Sequence, residues 1–212
     1  NFPVLQYAAR FKKPMILGTG MSNMQEVKDA IRCIKKTGNN KTLVLHCTTN
    51  YPCPNNEVNL LAMQGMMKEL GVLVGYSDHT LGIQVPIMAA TLGACIIEKH
   101  FTLDRNLSGP DHRASAEPKE FQEMAVGLRR VPVILGSDSK RPTKQELLYR
   151  QFVRKSVVTP DHVSRGEVFT KHNLAIKRPG TGLPPEKYFL IMGKKSKRNI
   201  PKDTLLKYND YQ

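Results

Sequence analysis

The stretch "VLVGYSDHTLGIQVPIMAATLGACIIEKHF", residues 72–101, carries two apolar runs separated by a helical segment, and each run ends in polar and ionisable residues. Residues 72–79 and 94–101 predict strands, and a helix that includes residues 85–93 returns the chain between them. Both strands are apolar almost throughout rather than alternating, as strands of a parallel sheet covered on both faces are. The second is predicted to be buried, yet it closes on Glu98, Lys99 and His100. Charged groups are rarely buried alone, so this strand end requires a metal, a charged ligand or a salt bridge.

The same strand–helix rhythm extends upstream and downstream. "KPMILGTG" (13–20) predicts a first strand, followed by a capping box of Ser22 with Gln25 and a helical face of Met24, Val27, Ile31 and Ile34. "KTLVLHCTT" (41–49) predicts the second strand and residues 57–71 a helix closed by Gly71, while 118–136 holds a last helix with Pro118 in its first turn. Polar residues gather at the strand ends: Thr19, His46 to Tyr51, Ser77 to His79 and Glu98 to His100. Ligand chemistry of α/β folds sits on that edge. Four such units, residues 1–136, make half of a (β/α)₈ TIM barrel, so an upstream half is expected elsewhere, in a longer protein or another chain. The opening Asn-Phe-Pro agrees with a piece of something longer. Residues 137–149 read as a polar linker, and 150–212 as a small β-rich domain with short β-prone runs divided by Pro, Gly and charge.

The composition, 40% apolar with no Trp, suits an ordinary α/β protein. No apolar run approaches a membrane span and no signal-peptide pattern is present, which predicts a cytoplasmic protein without membrane contact. Cys33, Cys47, Cys53 and Cys95 show no metal-knuckle spacing and are expected to be reduced thiols. Residues 1–136 hold 15 Lys/Arg against 11 Asp/Glu, and residues 137–212 hold 17 against 7, so the net charge of +14 lies mostly in the second part. A basic segment attracts anionic metabolites, acidic surfaces or nucleic acid. The run "KKSKR" (194–198) lacks interleaved aromatics, which argues for a solvated face over a nucleic-acid patch.

His79 and His100 stand one βα unit apart at the ends of consecutive strands, so both imidazoles can reach one point. Two His with oxygen ligands suit a divalent ion such as Mn²⁺, with Asp78, Glu98 and Asp111 nearby in sequence; the alternative is two unrelated, hydrogen-bonded histidines. "GPDHRAS" (109–115) is a turn that presents Asp111, His112 and Arg113. "GTGMS" (18–22) is either a phosphate cradle before a helix or a tight turn. "TTNYP" (48–52) offers hydroxyls, an amide and a phenol to a polar substrate. Arg178, within "KRPGTGLPP" (177–185), is the natural anion ligand of the basic domain.

Together "ILGTGMSNMQEV", "LHCTTNYPCP", "GYSDHTLGI", "LGACIIEKHFTLDRNLSGPDHRASAEPKEF" and "KRPGTGLPP" resemble the sialic acid synthase (N-acetylneuraminate synthase) family over essentially the whole chain. The resemblance implies the second half of a (β/α)₈ barrel followed by an antifreeze-like SAF domain. It implies condensation of phosphoenolpyruvate with an N-acetylated amino sugar, N-acetylmannosamine or a relative, in a domain-exchanged homodimer that uses Mn²⁺ or another divalent cation such as Mg²⁺ or Co²⁺. By position, His79 and His100 match the metal ligands, Glu98 an active-site carboxylate, Ser77 a phosphoenolpyruvate contact, Tyr51 and Asp111 sugar contacts, and Arg178 an arginine reaching a partner's site. Thr19 and Thr49 match positions in the substrate-binding turns. Gly18 stands where many relatives have Ser, and Thr49 where some have Asn. The family's upstream phosphate-binding lysines and a catalytic carboxylate are not in this sequence, so the chain by itself is expected to be inactive. A legionaminic-type synthase, another phosphoenolpyruvate-dependent aldose condensation and a basic anion- or nucleic-acid-binding module are the competing expectations. Glu98 and His100 share strand parity and point to the barrel mouth, with Lys99 turned the other way toward a carboxylate.

Overall fold

The computed structural model describes residues 1–212, which divide into two compact units, Asn1–Ser137 and Asp138–Gln212. The first contains α1 (Phe2–Ala9), β1 (Met15–Gly18), α2 (Met24–Lys35), β2 (Thr42–His46), α3 (Leu61–Glu69), β3 (Leu73–Asp78), α4 (Gln84–Thr91), β4 (Ile97–Lys99) and α5 (Pro118–Leu135). Its strands form one parallel sheet in the order β1-β2-β3-β4, the arrangement of half a βα barrel. Register sorts its side chains. Leu17, Val44, Val74 and Tyr76 face the helices and pack with Val27, Ile31, Met63, Met66, Val85 and Ala89. Ile16, Leu43, Leu73, Gly75 and Ser77 lie on the opposite, inner face, where Ile16 and Leu73 are more than half exposed.

Several elements differ from the expectation. The capping box is Asn23 with Glu26, one residue later than Ser22 and Gln25; Asn23 Oδ1 accepts from the Glu26 amide and the Glu26 carboxylate accepts from the Asn23 amide. That exchange satisfies two of the helix's four orphan amides. The helix expected from 57 begins at Leu61, because Asn59 in the left-handed region separates it from a short 3₁₀ turn, Asn55–Glu57. The strand expected to be buried at 94–101 shortens to Ile97–Lys99 and is the half-exposed edge of the sheet, with a hydrogen-bonded neighbour on one side only. α1 was not anticipated.

In the second unit, α6 (Lys144–Val153) begins inside the segment read as a polar linker and takes up residues 144–149 of it; Thr143 and Glu146 form its capping box. β5 (Ser156–Thr159), β6 (Ala175–Lys177) and β7 (Thr204–Leu205) form an antiparallel sheet in the order β6-β5-β7, and α7 spans Tyr188–Ile191. Val157, Val163, Phe169, Leu174, Leu183, Ile191, Ile200 and Leu206 are its core. "RPGTG" packs closely against β5 and β7: a Cβ on Gly182 would come within 2.9 Å of Leu205 Cβ, 3.0 Å of the Leu206 carbonyl and 3.2 Å of Ser156 Cβ.

Gly75 is the tight point of the first sheet. A Cβ there would overlap Ile96 Cγ2 and lie 2.6 Å from the Ile96 carbonyl and 2.7 Å from Leu45 Cδ2. Backbone cannot yield as a flexible side chain does, so Gly75→Ala is expected to destabilise the chain by about 1–3 kcal/mol, the usual cost of overpacking. A denaturant titration with an unchanged midpoint would contradict this.

Candidate active site

Register brings the predicted residues of β3 and β4 to one face. Ser77 pairs with Glu98 across the strands, and the Ser77 hydroxyl donates to Glu98 Oε1 at 2.7 Å. Two residues on along each strand, His79 and His100 place their ring centroids 5.3 Å apart, edge to face. Tyr51 covers both, 4.2 Å from the His79 ring and 5.4 Å from the His100 ring. Asp111, held at positive φ in the Gly-Pro-Asp turn, sets Oδ2 at 3.9 Å from His100 Nδ1. Asp111, His79, His100, Tyr51, Ser77 and Glu98 therefore form one cluster.

The tautomer of His79 follows from its partner. Its Nδ1 lies 2.6 Å from the Thr48 carbonyl, which can only accept, so Nδ1 carries the proton and Nε2 of the neutral ring presents a lone pair. Such a carbonyl is the usual orienting group for a metal-bound or proton-accepting imidazole. His46 differs: it faces the helices, with Nε2 2.9 Å from the Val58 carbonyl, and has a structural role.

No group of three or more His, Cys, Asp or Glu side chains gathers in ligand geometry. Asp78, close in sequence, is turned away from the cluster and paired with Lys99 at 2.5 Å, both side chains essentially inaccessible. The protein donors that fit a divalent ion are thus the two imidazoles, and its other positions would fall to water or substrate oxygens.

The wall beside this cluster is the β1–α2 turn. Thr49 Oγ1 occupies the space a Cβ of Gly20 would need, which ties the 48–52 loop to the Gly-Thr-Gly turn. Thr19 spends both its amide and its hydroxyl proton on the Leu45 carbonyl, at 3.1 and 2.7 Å, and so is a fixed part of the turn. Cys47 sits half-buried against this turn; burial, opposed by the Thr19 and Gly20 amides, pushes its thiol above the usual range, with the Glu98 carboxylate adding to the rise. Burial likewise raises the Tyr51 phenol, helped by Cys47, Asp111 and Glu98, so Tyr51 acts as a neutral hydroxyl.

The loop that supplies Asp111 is braced from below. Thr102 Oγ1 bonds His112 Nδ1 at 2.8 Å, and Arg105 donates to the Ser115 carbonyl and pairs with Glu120. Arg178 belongs to the second unit, where its Nε donates to the Val153 carbonyl at 3.1 Å and its side chain is exposed.

The parallel half-barrel and this strand-end cluster define a βα-barrel protein with its chemistry at the C-terminal strand edge. The profile of the NeuB family matches residues 1–140, and that of the SAF domain residues 154–212. The chain belongs to the NeuB family. It is 44% identical over 210 residues to N,N'-diacetyllegionaminic acid synthase of Campylobacter jejuni, a match covering 98% of this chain and 63% of that protein. Among solved structures, the sialic acid synthetase of Leptospira borgpetersenii matches 71% of this chain and 53% of its own length, with 37% identity and a TM-score of 0.64. The spore coat polysaccharide biosynthesis protein SpsE of Bacillus subtilis covers all of this chain and 64% of its own, with 34% identity and a TM-score of 0.60. The chain spans about three fifths of the length of the curated relatives it matches.

Two site features were missed from sequence. Thr48 acts through its carbonyl, which no residue type announces. Cys47 reads only as a reduced thiol, although the 2-residue period that places Leu45 on the inner face places Cys47 there too.

The raised Cys47 thiol predicts low reactivity. At pH 7.5 iodoacetamide is expected to modify exposed Cys95 at least several-fold faster than Cys47. Peptide mass spectrometry over time checks this; equal rates would mean that Cys47 is neither buried nor raised.

Proposed function

We propose that this chain is the second barrel half and SAF domain of an enzyme that condenses phosphoenolpyruvate with an N-acetylated amino sugar, giving a nine-carbon sialic-type acid and phosphate. The observation that carries the reading is the His79–His100 pair, capped by Tyr51 at the strand ends of a NeuB-family half-barrel. A divalent ion such as Mn²⁺, held by His79 and His100, would supply Lewis-acid polarisation of the sugar's open-chain aldehyde.

The chain's own residues then divide the work. Thr48 fixes the His79 ring with Nε2 toward the site. Glu98, oriented by Ser77, is a carboxylate able to orient the water that adds at C2 or to take its proton. Tyr51, neutral across the working range, donates a hydrogen bond to a sugar oxygen or acetamido carbonyl, and Asp111 accepts from sugar hydroxyls. Thr49 and the Gly-Thr-Gly turn flank the phosphoenolpyruvate side. Arg178 supplies a guanidinium to a substrate anion in the site of a second subunit, in a domain-exchanged homodimer. The protein works in the cytoplasm, where its substrates are made available to it as soluble metabolites. The remaining phosphate-binding and catalytic groups come from the sequence upstream, so activity requires both halves.

A di-N-acetylated sugar is the second reading of the substrate, favoured by the 44% identity to the C. jejuni legionaminic-type synthase. Phosphate release from phosphoenolpyruvate, measured with N-acetylmannosamine and with a di-N-acetylated hexose in the chain with its upstream half restored, separates the two. Release that depends on sugar and is abolished by chelator is expected. Release unaffected by chelator would remove the metal from the reading, and no release with any sugar from a folded protein would overturn it.

His100→Ala is expected to lower turnover by at least about 10³-fold while the circular dichroism spectrum is retained. Arg178→Ala is expected to impair turnover, and mixing it with His100→Ala to restore part of it through hybrid dimers. Isolated hybrids without restored activity would refute the exchanged arrangement.

A further inference from the structure

Behind the imidazoles, on the helix-facing side of the sheet, Asp78 and Lys99 are register partners, and their side chains are 0% and 1% exposed. Asp78 is flanked in sequence by Ser77 and His79, and Lys99 by Glu98 and His100. The pair does more than join two strands. Asp78 Oδ1 accepts from the Thr80 amide at 3.1 Å, the Thr80 hydroxyl at 2.9 Å and the Tyr76 phenol at 3.1 Å. Lys99 Nζ, besides reaching Asp78 Oδ2, donates to the Thr80 carbonyl at 2.7 Å. The amide, hydroxyl and carbonyl of the residue following His79 are therefore all held by the one ion pair.

We infer that Asp78 and Lys99 are positioning residues, clamping Thr80 and the ends of β3 and β4 so that the His79 and His100 rings converge on one point. A buried ion pair is a poor choice if strand pairing is the only need, since well-packed apolar residues of similar volume do as well or better. An apolar pair, however, gives nothing to the three polar groups of Thr80, which is itself 0% exposed. Directional bonds to both charges fix where the chain leaves β3, and hence where the His79 backbone stands. The Cys53 amide on the His79 carbonyl, at 2.8 Å, and the Thr48 carbonyl on its ring complete the restraint. The inference deepens the reading of His79 and His100 as a ligand-holding pair and rests on it for its consequence, though not for its geometry.

The test compares the full chain with Asp78→Asn/Lys99→Met, which removes both charges together, keeps an acceptor for Thr80 and approximates both shapes. Three quantities are read: the thermal midpoint, nuclear Overhauser cross-peaks among the Tyr51, His79 and His100 rings, and the Kd for Mn²⁺. The expected result is a midpoint within a few degrees of the parent, loss or marked weakening of the His79–His100 cross-peak, and Mn²⁺ binding at least about ten-fold weaker, as for orienting groups behind metal ligands. Unchanged ring cross-peaks and unchanged Mn²⁺ affinity in a folded double variant would overturn the inference. If the double variant does not fold, Thr80→Val, which keeps the ion pair and removes one bond to it, decides: a folded Val variant with parental ring contacts overturns the inference, and several-fold weaker contacts support it. Absence of Mn²⁺ binding by the parent chain would retire the metal reading alone, because the ring cross-peaks still judge the positioning.

Discussion

The in-register parallel pairing of β3 with β4 is the constraint on which the site depends. Because side chains alternate along a strand, aligning Ser77 with Glu98 also aligns Asp78 with Lys99 and sends the two pairs to opposite faces. On one face lie a hydroxyl, a carboxylate and, one step further, two imidazoles. On the other lie the ion pair, its tyrosine and the helix-facing core. A slip of β4 by one residue would turn Lys99 toward the site residues and send Glu98 and His100 into the core, leaving Asp78 buried without its partner. The need of each buried charge for its partner thus favours this register, and the register places the chemistry.

This arrangement divides the polar residues of the strand ends by the bonds they make. Asp78 accepts four hydrogen bonds, and Lys99 makes two with groups of the same cluster. Glu98 has one bond, from Ser77, and His100 stands beside Asp111 at 3.9 Å, beyond ordinary hydrogen-bond length. Saturated groups stiffen a structure, whereas groups with spare capacity can receive a ligand. Tyr51 extends the contrast: the buried Tyr76 gives its proton to Asp78, while Tyr51, 44% exposed, covers two rings.

Much of the fold was legible because parallel βα units leave strong marks: apolar strands without alternation, helices with a 3.6 period, and polar residues gathered at one end of every strand. The same marks set His79 and His100 side by side from their spacing, and the parity of residues 98 to 100 turns Lys99 away from them. Less legible were features that depend on neighbours in space. Asp78 reads as a third acidic candidate until register shows it behind the sheet. The run 94–101 reads as a longer buried strand because it opens on apolar residues, whereas the strand is Ile97–Lys99, at the edge of this half-barrel sheet. The helix Lys144–Val153 was hidden by a polar composition, although Thr143 and Glu146 are an ordinary start signal.

Glycines link these levels. Gly75 brings β3 close enough to Ile96 and Leu45 for the sheet to pair through its centre, and Gly20 admits the Thr49 hydroxyl, so the turn after β1 and the loop after β2 close on each other. The wall of the site is therefore set by the absence of side chains at two points and its centre by a pair of charges buried behind it. Neither belongs to the cluster that would meet a substrate. That cluster can be held with few internal bonds, and remain open to ligands, because its order is imposed from the far side of the sheet.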